Sequence, residues 1–188
     1  DISVAEMVGA YTAFARKGVR RCPLYVTRIE DSNGDVVAEF QPRVREVISE
    51  QAACKMVTLM RGVIDSGTGR RMRFRYNLTA PMAGKTGTTN DNSDGWFVGY
   101  TPSLSFGAWV GGDERDIHFS SMAIGQGANA ALPIAAYFLK KVYADSSLGY
   151  TQNEDVDIPE GFDPCGQDDG SEEEVQSGEP AVLDELAN

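Results

Sequence analysis

The sequence predicts an α+β fold: a three-stranded antiparallel sheet with flanking helices and a β-hairpin. Two kinds of periodicity lead there. Apolar residues recur at helical spacing over residues 3–18, 49–67 and 131–143, while side chains alternate over 83–88, 95–101 and 104–112. The turns between the three alternating stretches are short and polar, which suits an antiparallel meander and leaves no room for a parallel crossover. With 188 residues, 41% of them hydrophobic, the chain can bury one core.

Each element has a local reason. In the first helix Val4, Met7, Val8, Tyr11 and Phe14 form the stripe, Ser3 and Glu6 are spaced as a capping box, and Gly18 ends the run. The segments PLYVTRIE and DVVAEF flank Asp31-Ser32-Asn33-Gly34, where Asn-Gly is expected to supply the positive φ angles of a tight hairpin. The second helix, running to Gly67, carries Ala52, Met56, Leu59, Met60 and Val63 on one expected face. Strands follow through the Lys-Thr-Gly run, through GWFVGYT and through LSFGAWVGG. The last helix, ALPIAAYFLKKVY, is expected to lie across one face of that sheet. Trp96, Phe97, Phe106 and Trp109 read as sheet-face packing.

Charge divides the chain. All 17 Lys and Arg lie at or before Lys141 and 14 of the 28 acidic residues lie from Asp145 onward, so the part before Asp145 carries +3 and the remainder −14. Residues 1–150 are therefore expected to fold, and 151–188 to be an acidic, disordered tail. The apolar run from Ala131 is too short and too soon charged to span a bilayer. Cys22, Cys54 and Cys165 have no C-x-x-C spacing, and His118 is the only histidine, read as a surface or strand-end residue. No metal and no cofactor are expected. Arg70, Arg71, Arg73 and Arg75, just before the Lys-Thr-Gly stretch, read as a solvated loop or helix face, or else as a basic rim that attracts acidic peptides. They lack interleaved aromatics, so no nucleic-acid partner is expected.

The stretch AGKTGTTNDNSDGWFVGYTP, residues 83–102, carries the candidate site. A phosphate loop would need glycine at position 79, where Thr79 stands, and a helix after Thr86, where the pattern is that of a strand. In a strand, Thr86 and Thr88 share one face and Lys85 and Gly87 the other. Two hydroxyls near an ammonium suit a carboxylate, and Gly87 lets a ligand backbone approach an edge. The chemistry fits a peptide with an acidic end.

Lys85-Thr86-Gly87-Thr88-Thr89, with DGWFVGYTP and AWVGGDE after it and AYTAFARKGVRR, VTRIEDSNGDVV and MRGVIDSGTG before it, resembles the C-terminal half of the transpeptidase domain of class A penicillin-binding proteins. The likeness covers residues 1 to about 145. It implies a piece of the β-lactamase/transpeptidase-like fold and D,D-transpeptidation of peptidoglycan stem peptides, the reaction that β-lactams block. It implies further that Thr86 and Thr88 bind the donor's terminal carboxylate, that the Thr88 N–H is half of the oxyanion hole, that Lys85 adds positive potential and bonds a serine of an S-x-N motif, and that Gly87 leaves room. The parent would carry a membrane anchor and a glycosyltransferase domain, with this domain on the outer face of the cytoplasmic membrane.

Two of the family's three motifs do not occur in the sequence. The residues three before the lysines are Phe14, Ala52, Met82, Tyr137 and Phe138, so there is no S-x-x-K. The residues two before the asparagines are Asp31, Arg75, Thr88, Asn90, Gly127, Thr151 and Leu186, so there is no S-x-N. The expectation is a chain that supplies the Lys-Thr-Gly strand, has no nucleophile, is inactive alone and needs the upstream half of its domain. The alternative is a non-catalytic module that uses the same edge strand to hold a peptide or protein.

Overall fold

A computed structural model describes residues 2–114, 116–155, 158–159 and 162–164. The first helix, α1 (Val4–Ala15), opens on the expected capping box: Ser3 Oγ accepts from the Glu6 N–H and the Glu6 carboxylate accepts from the Ser3 N–H. This bonding to Ser3 also holds the Glu6 carboxyl below its ordinary range. A short strand β1 (Val19–Arg21) follows, then the hairpin β2 (Arg28–Glu30) and β3 (Val36–Glu39), then β4 (Val44–Glu46). β4 returns to pair antiparallel with β1, which the sequence pattern did not announce because three residues are too few to show a period.

The hairpin forms where expected, by a different turn. Among its turn residues only Gly34 takes a positive φ, at 90°, and Asn33 does not. Asp31 supplies the order instead, its Oδ1 accepting from the N–H groups of Asn33 and Asp35 at 2.8 and 3.0 Å. A register shift beside Ile29 absorbs the longer loop.

The second helix, α2 (Glu50–Asp65), corrects the expected face. It buries Ala53, Cys54, Val57, Met60 and Ile64, whereas Leu59 is 66% and Met56 36% exposed. Both 52/56/59/63 and 53/57/60/64 are apolar rows at helical spacing, so periodicity could not choose between them; contact with the sheet does. After α2 a single turn of helix, α3 (Arg71–Phe74), leads to the central strands β5 (Ala83–Thr88), β6 (Asp94–Tyr100) and β7 (Ser105–Gly111). They pair in the order β5-β6-β7, all antiparallel, as the meander reading requires.

Residues paired across this ladder point to the same face. On one face Phe97, Phe106 and Ala108 meet Leu132, Ala135, Ala136 and Leu139 of α6 (Leu132–Ala144), together with Met72 and Leu78. On the other, Ala83 and Tyr100 meet Val57 and Met60 of α2, with Tyr11 and Phe14 of α1 against them. Each fully buried Val, Leu, Met or Phe among these contributes about 1.5–3 kcal/mol. Two single-turn helices, α4 (Met122–Gly125) and α5 (Gly127–Ala130), bring the chain from β7 to α6.

Beyond α6, Gln152, Asp155 and Ile158 touch the body. Gln152 Oε1 accepts from the backbone N–H groups of Thr79 and Ala80 at 2.9 and 3.2 Å, Arg61 reaches Asp155, and Ile158 packs on the cluster around Tyr100. The acidic run from 165, including Cys165, lies outside the described residues.

Candidate functional site

The site is built on the outer edge of β5, which among the described residues pairs only with β6. Its ladder is closed at the turn by the Thr89 N–H donating to Asp94 O at 3.1 Å. Antiparallel pairs alternate between exchanging and not exchanging hydrogen bonds, so Gly87 with Trp96, Lys85 with Val98 and Ala83 with Tyr100 take the inward bonds. The N–H and C=O groups of Thr86 and Thr88 consequently point away from the sheet, along the free edge.

Side chains follow the same alternation. Thr86 and Thr88 lie on the α5/α6 face, Lys85 and Gly87 on the opposite one. Lys85 is exposed and curls back so that Nζ donates to the Thr86 carbonyl oxygen at 2.7 Å, bringing a positive charge to the edge. Thr88 Oγ1 accepts from the Gly127 N–H at 3.0 Å, which leaves its own hydroxyl proton to donate elsewhere. Gly127 sits so close that a Cβ there would run into the carbonyl oxygens of Trp96 and Gly87. α5 can therefore press on the strand only with glycine at this position.

Thr68 is the residue that sequence reasoning left aside. It stands in the turn after α2, exposed, with Oγ1 2.7 Å from Thr86 Oγ1 across 18 residues of chain. The only local signal was the pair of glycines around it, and that signal reads as a helix end.

Asp94 organises the turn at the end of the edge. Its Oδ2 accepts from Thr89 Oγ1 and its Oδ1 from the Trp109 indole N–H, both at 2.8 Å, while its own N–H donates to Thr89 Oγ1. Asp91 and Asn92 take left-handed backbone at φ 58° and 59°, which short polar side chains tolerate best. Trp96 and Trp109 pair side by side on the face shared with Lys85 and Gly87, with ring centres 6.3 Å apart.

The arginine cluster forms no continuous rim. Arg73 binds the Leu78 and Ala80 carbonyls and the Asp65 carboxylate, and Arg71 donates to the Ala128 carbonyl. These two hold the loop that enters β5 against α2 and α5. Arg70 and Arg75 lie over the rings of Phe74 and Tyr76. At the far end of β6, burial pushes the Tyr100 phenol well above its ordinary pKa range, with the neighbouring Tyr11 adding to it, and its hydroxyl has no hydrogen-bond partner among the described residues. No disulfide joins Cys22, which is half-buried, to Cys54, which is buried. His118 is exposed, with Nδ1 3.2 Å from the Phe119 carbonyl oxygen. Among the described residues no three His, Cys, Asp or Glu side chains gather as a metal site, and no helix is long and apolar enough to cross a membrane.

The family model for the penicillin binding protein transpeptidase domain matches residues 1–116. The chain belongs to this family. Penicillin-binding protein 1A of Aquifex aeolicus is 34% identical over 159 residues, 85% of this chain and 20% of the relative. The chain thus spans about a fifth of that curated relative's length. Among solved structures, penicillin-binding protein 1A from Haemophilus influenzae superposes with a TM-score of 0.72 at 19% identity, covering 84% of this chain and 28% of that one. The D,D-transpeptidase domain of a peptidoglycan glycosyltransferase from Eggerthella lenta gives a TM-score of 0.58 at 26% identity over 76% of this chain and 32% of that one. The expected α+β transpeptidase-like fold and the class A resemblance both stand.

Proposed function

We propose that this chain supplies the substrate-binding edge of a peptidoglycan D,D-transpeptidase whose serine nucleophile lies in an upstream part of the same domain. The observation that carries the reading is the β5 edge: outward N–H and C=O groups at Thr86 and Thr88, hydroxyls of both on one face, and the Lys85 ammonium at the Thr86 carbonyl. A stem peptide ending in D-Ala-D-Ala lies antiparallel along this edge, and its terminal carboxylate takes hydrogen bonds from the Thr86 and Thr88 hydroxyls. The serine attacks the penultimate carbonyl, and the developing oxyanion accepts from the Thr88 N–H, a donor worth on the order of 3 kcal/mol in the transition state. The terminal D-alanine leaves as the free amino acid. An amine of a second stem peptide then attacks the acyl-enzyme, forms the new amide and releases the serine. A β-lactam enters the same way, except that its leaving nitrogen stays tethered after the ring opens.

Two apolar surfaces support a missing half. One is a groove of about 630 Å³ along the free edge of β7, lined by Val8, Tyr25, Phe106, Ile134 and Phe138 among others. The other is the exposed row of Met56 and Leu59 on α2. Both suit burial by strands and helices of the upstream half. Membrane anchorage and placement on the outer face of the cytoplasmic membrane belong to the parent protein.

Intact-mass detection of a penicillin adduct tests the reading, first with this chain alone and then with the separately produced upstream half added. The expected adduct is on the upstream half and increases when this chain is present. An adduct on this chain alone, or none in a mixture shown to associate, overturns it; the second result favours a non-catalytic peptide-binding module.

A further inference from the structure

We infer that Thr68 is a third hydroxyl of the carboxylate site, a residue that contacts the donor's acidic end together with Thr86 and Thr88. This inference rests on the transpeptidase reading above. Its starting point is a mismatch of exposure within one hydrogen bond: Thr86 is only 9% exposed, whereas Thr68, 2.7 Å away, is open to solvent. The hydroxyl that reading assigns to the ligand is thus the inner one of a pair, and the outer one comes from another element.

The turn that carries Thr68 is held firmly. Gly69 N–H donates to the Val63 carbonyl at 2.9 Å and Gly67 N–H to the Gly62 carbonyl at 2.9 Å, while the Ser66 hydroxyl also donates to Gly62 O at 3.1 Å. A Cβ on Gly67 would stand 2.8 Å from Val63 Cα, so the turn lies directly on the end of α2. Thr68 is presented to β5 by a rigid support, which is what a binding hydroxyl needs.

Proton accounting then favours an anion. Two hydroxyls in mutual contact hold two protons and use one between them, so one remains for an acceptor. Thr88 Oγ1 already accepts from the Gly127 N–H and keeps its own proton for donation. The site therefore presents one donor from the Thr68/Thr86 pair and one from Thr88, matching the two oxygens of a carboxylate. Whichever member of the pair donates outward is polarised by its neighbour, which strengthens that bond. A neutral amide offers these donors a single uncharged acceptor oxygen, whereas a carboxylate offers one charged oxygen to each, so the arrangement favours a free terminal carboxylate.

The test uses the complete transpeptidase domain, this chain joined to its upstream half, and compares acylation rates for benzylpenicillin and its methyl ester in Thr68→Val, Thr68→Ser and Thr86→Val. Thr68→Val should slow benzylpenicillin about tenfold and the ester by less than about twofold, and Thr68→Ser should restore the wild-type preference. A Thr68→Val domain that keeps its preference for the free acid, or slows for both ligands alike, overturns the inference. Should Thr86→Val leave that preference intact, the carboxylate reading of the edge fails with it. A loss in Thr86→Val without one in Thr68→Val removes Thr68 alone.

Discussion

The two outer strands of the central sheet end in opposite surfaces. β5 offers hydroxyls, outward backbone groups and an ammonium, and its glycine at 87 keeps the approach open. β7 runs beside an apolar groove between α1 and α6. Both are edges with unpaired backbone groups among the described residues, yet their side chains prescribe different partners. On the proposed reading, the β5 edge takes up and releases a peptide at each turnover, which needs polar contacts that water can replace. An edge flanked by Phe106, Ile134 and Phe138 gains from permanent burial.

Four experiments press on this contrast, the first with the largest expected effect. Gly127→Val should force α5 away from the carbonyls of Gly87 and Trp96, destabilising the complete domain by about 3 kcal/mol. A thermal melt should show a midpoint lower by about 9 °C. A wild-type melt would mean that α5 does not brace the β5 edge.

Hydrogen exchange separates the two edges directly. The register of β6 with β7 turns the N–H groups of Gly107 and Trp109 outward on β7. Joining the upstream half should slow their exchange by about a hundredfold, while the Thr86 and Thr88 amides stay fast until a β-lactam binds. Equal slowing at both edges would erase the distinction.

Thr88→Val should cost about tenfold in the rate of penicillin acylation, because the variant keeps the strand but loses the hydroxyl. Thr88→Ser should recover most of it. If the valine variant acylates at the wild-type rate, the polar edge is not where the ligand sits.

The smallest effect belongs to the middle strand. Tyr100 is buried with a hydroxyl that finds no partner among the described residues, so Tyr100→Phe should be neutral or stabilise by about 1 kcal/mol. Because burial raises the phenol's pKa, the native state holds its proton where the unfolded chain loses it. Stability from this group is therefore intact below an unfolded pKa of about 10 and declines as pH rises beyond it. Denaturant melts between pH 8 and 11 should show a shallower alkaline decline for Tyr100→Phe, and an unchanged slope would refute the assignment.

Local signals were legible wherever a residue acts through its own backbone. The capping box at Ser3 and Glu6, the three alternating strands and the tight turns between them follow from side-chain spacing, and all formed. The face of α2 did not follow, since two rows of apolar residues satisfy the same period and only the sheet selects one. β1 and β4 were invisible because their pairing joins positions such as Val19 and Glu46 that share no local pattern. In the arginine cluster, charge suggested solvent or ligand, while Arg71 and Arg73 serve backbone carbonyls that could be located only after folding.

By itself the sequence determined the strand that carries Lys85, Thr86, Gly87 and Thr88, the faces to which those side chains alternate and the family to which the chain belongs. Those features depend on spacing within a few residues or on a motif read along the chain. Tertiary structure alone decided that Thr68 meets Thr86, that Gly127 supports Thr88 and that one edge of the sheet is polar and the other apolar. Each of these joins residues far apart in sequence, and their proximity is set by how the helices pack on the two faces of the sheet.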